Sequence, residues 1–208
     1  MYMLRGSPFA HNNPSFDMIS ACIRLGHKYQ MAQLLEHSIA YLKSYYPTSL
    51  ETWQSNYTKA GTEHYIPKGF DNVHAIGVVN LARLTGELSI LPTALLDCCM
   101  LDEAILDGFV RADGSREELL PSDIRRCLRV RPQLAAMSIS IFARAFSPTV
   151  SVHCTTADSC LDDIHHALSI LGANSDDVVH GDPFDPIDPP DGTQGGPLCR
   201  HCAARVIK

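Results

Sequence analysis

Apolar positions recur at helical spacing along most of the chain. Asn13 followed by Pro14 pairs a capping residue with proline at the first helical position, and Phe16, Ile19, Cys22 and Ile23 then form one stripe. After a break near Gly26, Leu35, Ile39 and Leu42 form a second stripe, with Lys28, Gln33, Glu36 and Lys43 left for the solvent side, and Pro47 ends it. Thr48 and Glu51 have the spacing of a capping box, which opens a short helix carrying the only tryptophan, Trp53. Gln54 to Gly69 is polar and irregular and predicts a loop. Asp71 to Thr85 predicts a helix with Val73, Ile76, Val79 and Leu84 on one face and Gly86 as its stop. Leu91 to Met100, opening on Pro92, is the next. "LPSD" at Leu120 starts a longer helical region through Cys127, Leu128, Leu134, Met137 and Ile141, with Pro132 marking a kink or a restart.

Strand signals are scarce. Thr149 to His153 alternates like a strand but is too short to found a sheet. Ala173 to Pro197 is rich in Asp, Pro and Gly, buries too little apolar area to offset its ordering entropy, and predicts a disordered linker. No repeat of solenoid length is present. The expected class is therefore all-α: a helix pair, an irregular helical extension, and a partly disordered C-terminal tail. The expected core runs from Phe16 to Phe146.

With 208 residues the chain can build one domain with a real core, or one domain and a small appendage. A net charge of -6 gives no electrostatic reason to bind nucleic acid or an anionic membrane. There is no apolar stretch of membrane-spanning length and no secretory signal at the start, so a soluble intracellular protein is expected, cytoplasmic or nuclear. The sequon at Asn56 then carries no meaning, and the eight cysteines read as thiols rather than disulfides. No dinucleotide, phosphate-loop, metalloprotease or nucleophile-elbow motif is present, and a non-enzyme is expected.

The cysteines make one candidate site. Cys199 and Cys202 have the C-x2-C spacing that lets two thiolates reach one tetrahedral ion, and Cys154 and Cys160 form a wider second pair across the linker. One zinc held by Cys154, Cys160, Cys199 and Cys202 would offset the closure entropy of the intervening loop and tie the tail to the segment at Val150 to Val152. His153 and His201 are adjacent substitutes. The alternative is four free thiols on a tail; a redox pair would want a thioredoxin-like strand and helix. Elsewhere the plainer readings are favoured. His27 is a packing or capping residue, and His165 and His166 beside Asp162 and Asp163 lie on a solvated face. Arg125, Arg126, Arg129 and Arg131 with Asp123 are a charged helix surface, and Cys22, Cys98, Cys99 and Cys127 are small core hydrophobes.

Several phrases carry a resemblance. "IRLGHKYQMAQLLEHSIAYLKSYYP", "VVNLARLTGELSILPTALLDCC", "LDGFVRADGSREELLPSDIRRCLRVRPQL", "CTTADSC" and "LCRHC" occur in one order across most of the chain. Together they resemble the C-terminal part of BTB/POZ-domain proteins of the fungal, mostly basidiomycete, type. The resemblance implies a BTB remnant over 1–47, a helical extension over 48–147, a Cys-containing strand and helix segment over 148–172, a linker over 173–198 and a CxxC tail over 199–208. It also implies that the sheet-bearing N-terminal half of the domain is missing, as in a truncated gene model, a splice product or a divergent short paralogue. Leu25, Tyr29, Leu34 and Leu35 would then lack their usual cover and form an interaction surface. The implied function is a protein–protein interaction module that self-associates or binds a protein partner, with a cullin-type ligase as the family's analogy. The alternative is a small zinc-stabilised helical regulatory or nucleic-acid-binding protein, which a salt-dependent binding slope would reveal.

Overall fold

The computed structural model describes Phe9 and residues 13–60, 66–173 and 198–202, and is mostly helical, as the periodicity predicts. The expected disordered linker falls, between residues 174 and 197, outside the described residues. Contacts divide the chain into two units, Met1–Leu128 and Arg129–Lys208. The division falls inside the expected 48–147 extension.

The first unit is built on two helical pairs. α1 (Phe16–Lys28) and α2 (Ala32–Tyr45) form a hairpin whose link contains Gln30 at φ 55°. At the crossing, a Cβ on Gly26 would stand 3.0 Å from the Leu35 backbone nitrogen. The cap of α1 is Ser15, not Asn13: Ser15 has extended geometry and its hydroxyl accepts from the Met18 amide, while Pro14 lies before the helix. Likewise Ser49 rather than Thr48 accepts from the first turn of α3 (Leu50–Ala60). That helix continues to Ala60, through residues expected to be loop.

α4 (Ala75–Thr85) is the centre of this unit. Ala75, Ile76, Gly77, Val78, Val79, Leu81 and Ala82 are all buried, so the helix is covered nearly all round, and Leu84, expected on the buried face, is exposed. A 3-10 turn at Asn72–His74 leads into it, and Gly86 ends it at φ 74°, as the sequence predicts. α5 (Leu91–Cys99) packs back on α4, with Pro92 in its first turn. A short α6 (Ala104–Asp107) then precedes a hairpin of β1 (Phe109–Val110) and β2 (Arg116–Glu117), paired antiparallel with Phe109 opposite Glu117. The periodicity did not reveal this hairpin; the Asp113-Gly114 dipeptide at its tip is the local signal for it.

Phe16 is the keystone between α1 and α4. Its ring stacks on His74 at 4.6 Å and meets Phe70 and Phe109 edge-on, each at 5.4 Å. Position 77 must be glycine for this: a Cβ there would lie 2.1 Å from the Phe16 Cζ.

His74 is held neutral by its surroundings. Burial lowers its pKa, against the opposing pull of Asp71, Asp17 and Glu117. Its Nδ1 accepts the Asp71 amide at 2.7 Å, which places the ring proton on Nε2. The folded state therefore favours the uncharged ring, and the stability this gives is present above the unfolded value near 6.5 and is lost as pH falls below it. The thermal midpoint is expected to drop between pH 7 and pH 5. In His74→Asn, whose side-chain oxygen can take the same amide without titrating, the slope over that window should flatten; an unchanged slope would assign the loss to other groups.

Two carboxylates are buried in ion pairs. Asp123, in the first turn of α7 (Pro121–Ala145), is fully buried and accepts from Arg83 of α4 through both oxygens, at 2.7 and 2.8 Å, and from Arg126. Glu117 accepts from Arg24 at 2.8 Å and from Asn80 at 3.2 Å, with Arg111 beside its other oxygen. The expectation of a solvated charged surface at Asp123 is thus corrected. Arg125 and Arg129 are exposed as expected, and Arg131 is half-buried.

In the second unit Phe146, Ile164 and Ala167 form a small core, with Phe142, Ala145, Leu168 and Leu198 packed on it. The core thus extends past Phe146, onto α8 (Ala157–Ala173). α7 passes Pro132 without a break, so the proline does not restart the helix. Thr149 to His153 is a turn rather than a strand. The Cys154 amide donates to the Ser151 carbonyl at 2.9 Å, and Val152 at its tip is 94% exposed, with no strand among the described residues paired to it.

Candidate metal centre

The second unit brings the four cysteines together. Cys160 lies in the first turn of α8, on the buried side that continues through Ile164 and Ala167, and its thiol meets the Thr156 hydroxyl at 3.3 Å. Cys154 closes the turn that begins at Ser151. Cys199 and Cys202 sit on either side of a helical turn in which the Cys202 amide donates to the Cys199 carbonyl at 2.9 Å. Leu198, anchored in the small core, sets the position of that turn.

The four sulfurs all lie within 4.8 Å of one another, and Cys154 and Cys199 are 3.6 Å apart. Tetrahedral zinc with sulfurs at about 2.3 Å needs sulfur separations of about 3.8 Å. The set is therefore at most about 1 Å wider than such a site, a contraction within reach of cysteine rotamers. Backbone amides already point at the sulfurs: Cys199 donates to the Cys160 sulfur at 3.4 Å, and Ser151 to the Cys202 sulfur at 3.5 Å. Amide donors of this kind stabilise thiolate charge.

The electrostatics are uneven. The Cys202 amide, helped by the thiols of Cys154 and Cys202 and the His201 amide, lowers the Cys199 pKa to about 6. Burial, reinforced by the neighbouring thiols, pushes Cys202 up to about 12 against the Ser151 amide. At Cys154 the Thr156 amide pulls downward, but burial and the thiols of Cys199 and Cys160 outweigh it and the pKa rises. Cys199 is thus pushed toward the thiolate and Cys202 toward the thiol, and a cation among the sulfurs would favour the thiolate form.

Among the described residues, these four cysteines are the one group placed to hold a metal ion. His153 and His201 lie beside it, rings 5.9 Å apart, and His201 accepts from Arg200; neither belongs to the sulfur cluster. His165, His166 and Asp162 are exposed as expected, but Asp163, expected on the same solvated face, is buried on the side of α8 that carries Ile164 and Ala167. His27 is exposed at the C-terminal end of α1, where a basic residue suits the helix dipole. Cys98, Cys99 and Cys127 are buried in the first unit and Cys22 is half-buried, and no disulfide links any of the eight. Ser151, Thr156 and Leu198, which orient the cluster, carry no spacing signal of their own.

The residues expected to form an interaction surface divide. Leu25 and Tyr29 are 47% and 61% exposed, whereas Leu34 and Leu35 are half-buried. Met31, 50% exposed, adds to the apolar surface of the α1–α2 link, and the Lys28 ammonium lies over the Tyr29 ring. No helix among the described residues is long and apolar enough to cross a membrane. The chain matches no family model, no curated protein and no solved structure.

Proposed function

We propose that the chain is a non-catalytic protein-interaction module of BTB/POZ type, working inside the cell, whose second unit is held closed by one zinc ion. The observation that carries the interaction reading is the exposed apolar end of the α1–α2 hairpin, where Leu25, Tyr29 and Met31 stand together on the phrase that resembles a BTB helix pair. The zinc reading is supported by the four convergent sulfurs and the amides aimed at them. The partner is a protein with an apolar surface, and a second copy of the chain is the first to test; recruitment to a cullin-type ligase is a further step by analogy.

Light scattering over a concentration series should show self-association, together with binding of a hydrophobic dye. Leu25→Lys with Tyr29→Lys should weaken association about tenfold or more, since losing about 1.4 kcal/mol of contact is already a factor of ten. Both side chains are substantially exposed, so the fold should be unaffected. A monomer that binds no dye would remove the support for this surface.

The zinc-stabilised nucleic-acid reading has one observation in its favour, the exposed Arg125 and Arg129 four residues apart on α7. Arg126 is occupied by Asp123. A binding constant for duplex DNA that falls steeply with salt would favour that reading.

A further inference from the structure

We propose that a peroxide-class oxidant joins Cys154 to Cys199 as a disulfide and thereby displaces the metal from the four-cysteine site. The displacement rests on the zinc reading above; the pairing does not.

The four sulfurs are not equivalent. Cys160 and Cys202 are 1% and 3% exposed, and both sulfurs accept backbone hydrogen bonds, Cys160 from the Cys199 amide and Cys202 from the Ser151 amide. Cys154 and Cys199 are half-buried and face one another at 3.6 Å. A disulfide bond is about 2.05 Å, so closing it needs an approach of about 1.5 Å. An oxidant arriving from solvent reaches this pair first, because oxidation follows accessibility. Within the Cys199–Cys202 pair, by contrast, the buried member is withdrawn from solvent behind the turn.

The chemistry balances with hydrogen peroxide as the two-electron acceptor. One sulfur, as thiolate, attacks a peroxide oxygen; the O–O bond breaks, a sulfenic acid forms, and hydroxide takes a proton and leaves as water. The second sulfur attacks the sulfenic sulfur, the S–O bond breaks, and a second water leaves. Two thiols have become one disulfide and the peroxide two waters; when the sulfurs start as metal-bound thiolates, the two protons come from solvent. An ion left with two of its four sulfur donors is weakly held. The disulfide then ties together the same two segments that the metal held.

The test treats the full chain, zinc-loaded and metal-free, with limiting hydrogen peroxide, blocks remaining thiols, and maps the peptides. Cleavage after Arg200 separates Cys199 from Cys202, so the two candidate links give different products. Expected are a Cys154–Cys199 link in both samples and, in the loaded one, one zinc released to a colorimetric chelator per link. In Cys199→Ser, no link to Cys154 should form. A dominant Cys199–Cys202 or Cys160–Cys202 link, or sulfinic acid without a link, would overturn the pairing. A loaded chain that forms the link and keeps its zinc would overturn the displacement. Metal content measured before oxidation is a separate readout: a chain that takes up no zinc yet forms the link overturns the zinc reading and leaves the pairing standing.

Discussion

Cys160→Ser is expected to abolish stoichiometric zinc binding and to unfold the second unit at neutral pH, the largest single effect the structure predicts. Among the described residues, the core cluster of that unit apart from the sulfurs is Phe146, Ile164 and Ala167 with a few partly buried neighbours, too small to hold such a segment alone. Structural zinc sites in small domains supply about 10–16 kcal/mol of apparent binding free energy at neutral pH, and that energy is also folding energy. Cys160 is the candidate ligand inside α8, so its loss would remove a donor and the anchor of the helix start together. Circular dichroism should show lost helix, and elemental analysis less than one zinc per chain; a strong chelator should do the same to the unaltered protein. Full helicity and stability in the chelated protein would sink the zinc reading. The pH dependence has a definite sign. Zinc takes thiolates, and Cys202 and Cys154 hold their protons more firmly than free cysteine. Binding should therefore release protons, and affinity should fall as pH falls.

Asp123→Ala should destabilise the first unit by about 3 kcal/mol, near the lower end of the cost of removing one partner from a buried ion pair. The carboxylate is fully buried, so nothing in solvent can replace it, while the Arg83 side chain keeps 32% exposure and can partly rehydrate. That partial escape is the reason for the lower figure. The substitution also opens a void at the start of α7 and leaves Arg126 without its partner. Asp123→Asn, which keeps the shape and one or two acceptor bonds, should cost less than Asp123→Ala. Urea denaturation followed by circular dichroism measures both; a loss below about 1 kcal/mol for the alanine variant would mean the pair contributes no more than a surface salt bridge.

How much of this was legible in the sequence depended on what kind of interaction fixes each element. α1 and α2 follow from the period of their apolar stripes, whereas α4 is covered nearly all round, so its expected stripe misplaced Leu84, and α5 was marked by Pro92 at its start. Cap positions slipped by one or two residues because adjacent capping residues compete: Asn13 with Ser15, and Thr48 with Ser49. α3 ran on past its expected end because its polar residues lack a stripe but not helical propensity. Thr149 to His153 alternates like a strand, yet strands need partners and none pairs with it among the described residues. The β1–β2 hairpin carries its local signal in Asp113-Gly114 rather than in the period of burial, whereas the burial of Glu117 and Asp123 depends on Arg24 and Arg83, far away in sequence, which no local pattern encodes. For the site, cysteine spacing was enough to name the four cysteines whose sulfurs the fold brings within 4.8 Å of one another. The inequality among them arises from burial and from amides at Ser151, Thr156 and Cys202, and only the folded chain reveals it.

The contact between Gly77 and Phe16 makes two distant positions a single volume constraint. A methyl group at 77 has no room while a phenyl ring stands at 16, and the ring cannot swing aside, being walled by Phe70, His74 and Phe109. A bulkier residue at 77 is therefore compatible with this packing only alongside a smaller one at 16, and the two substitutions are non-additive in sign as well as size. In sequences that share this fold, positions 16 and 77 should trade volume against each other, so that neither can drift alone.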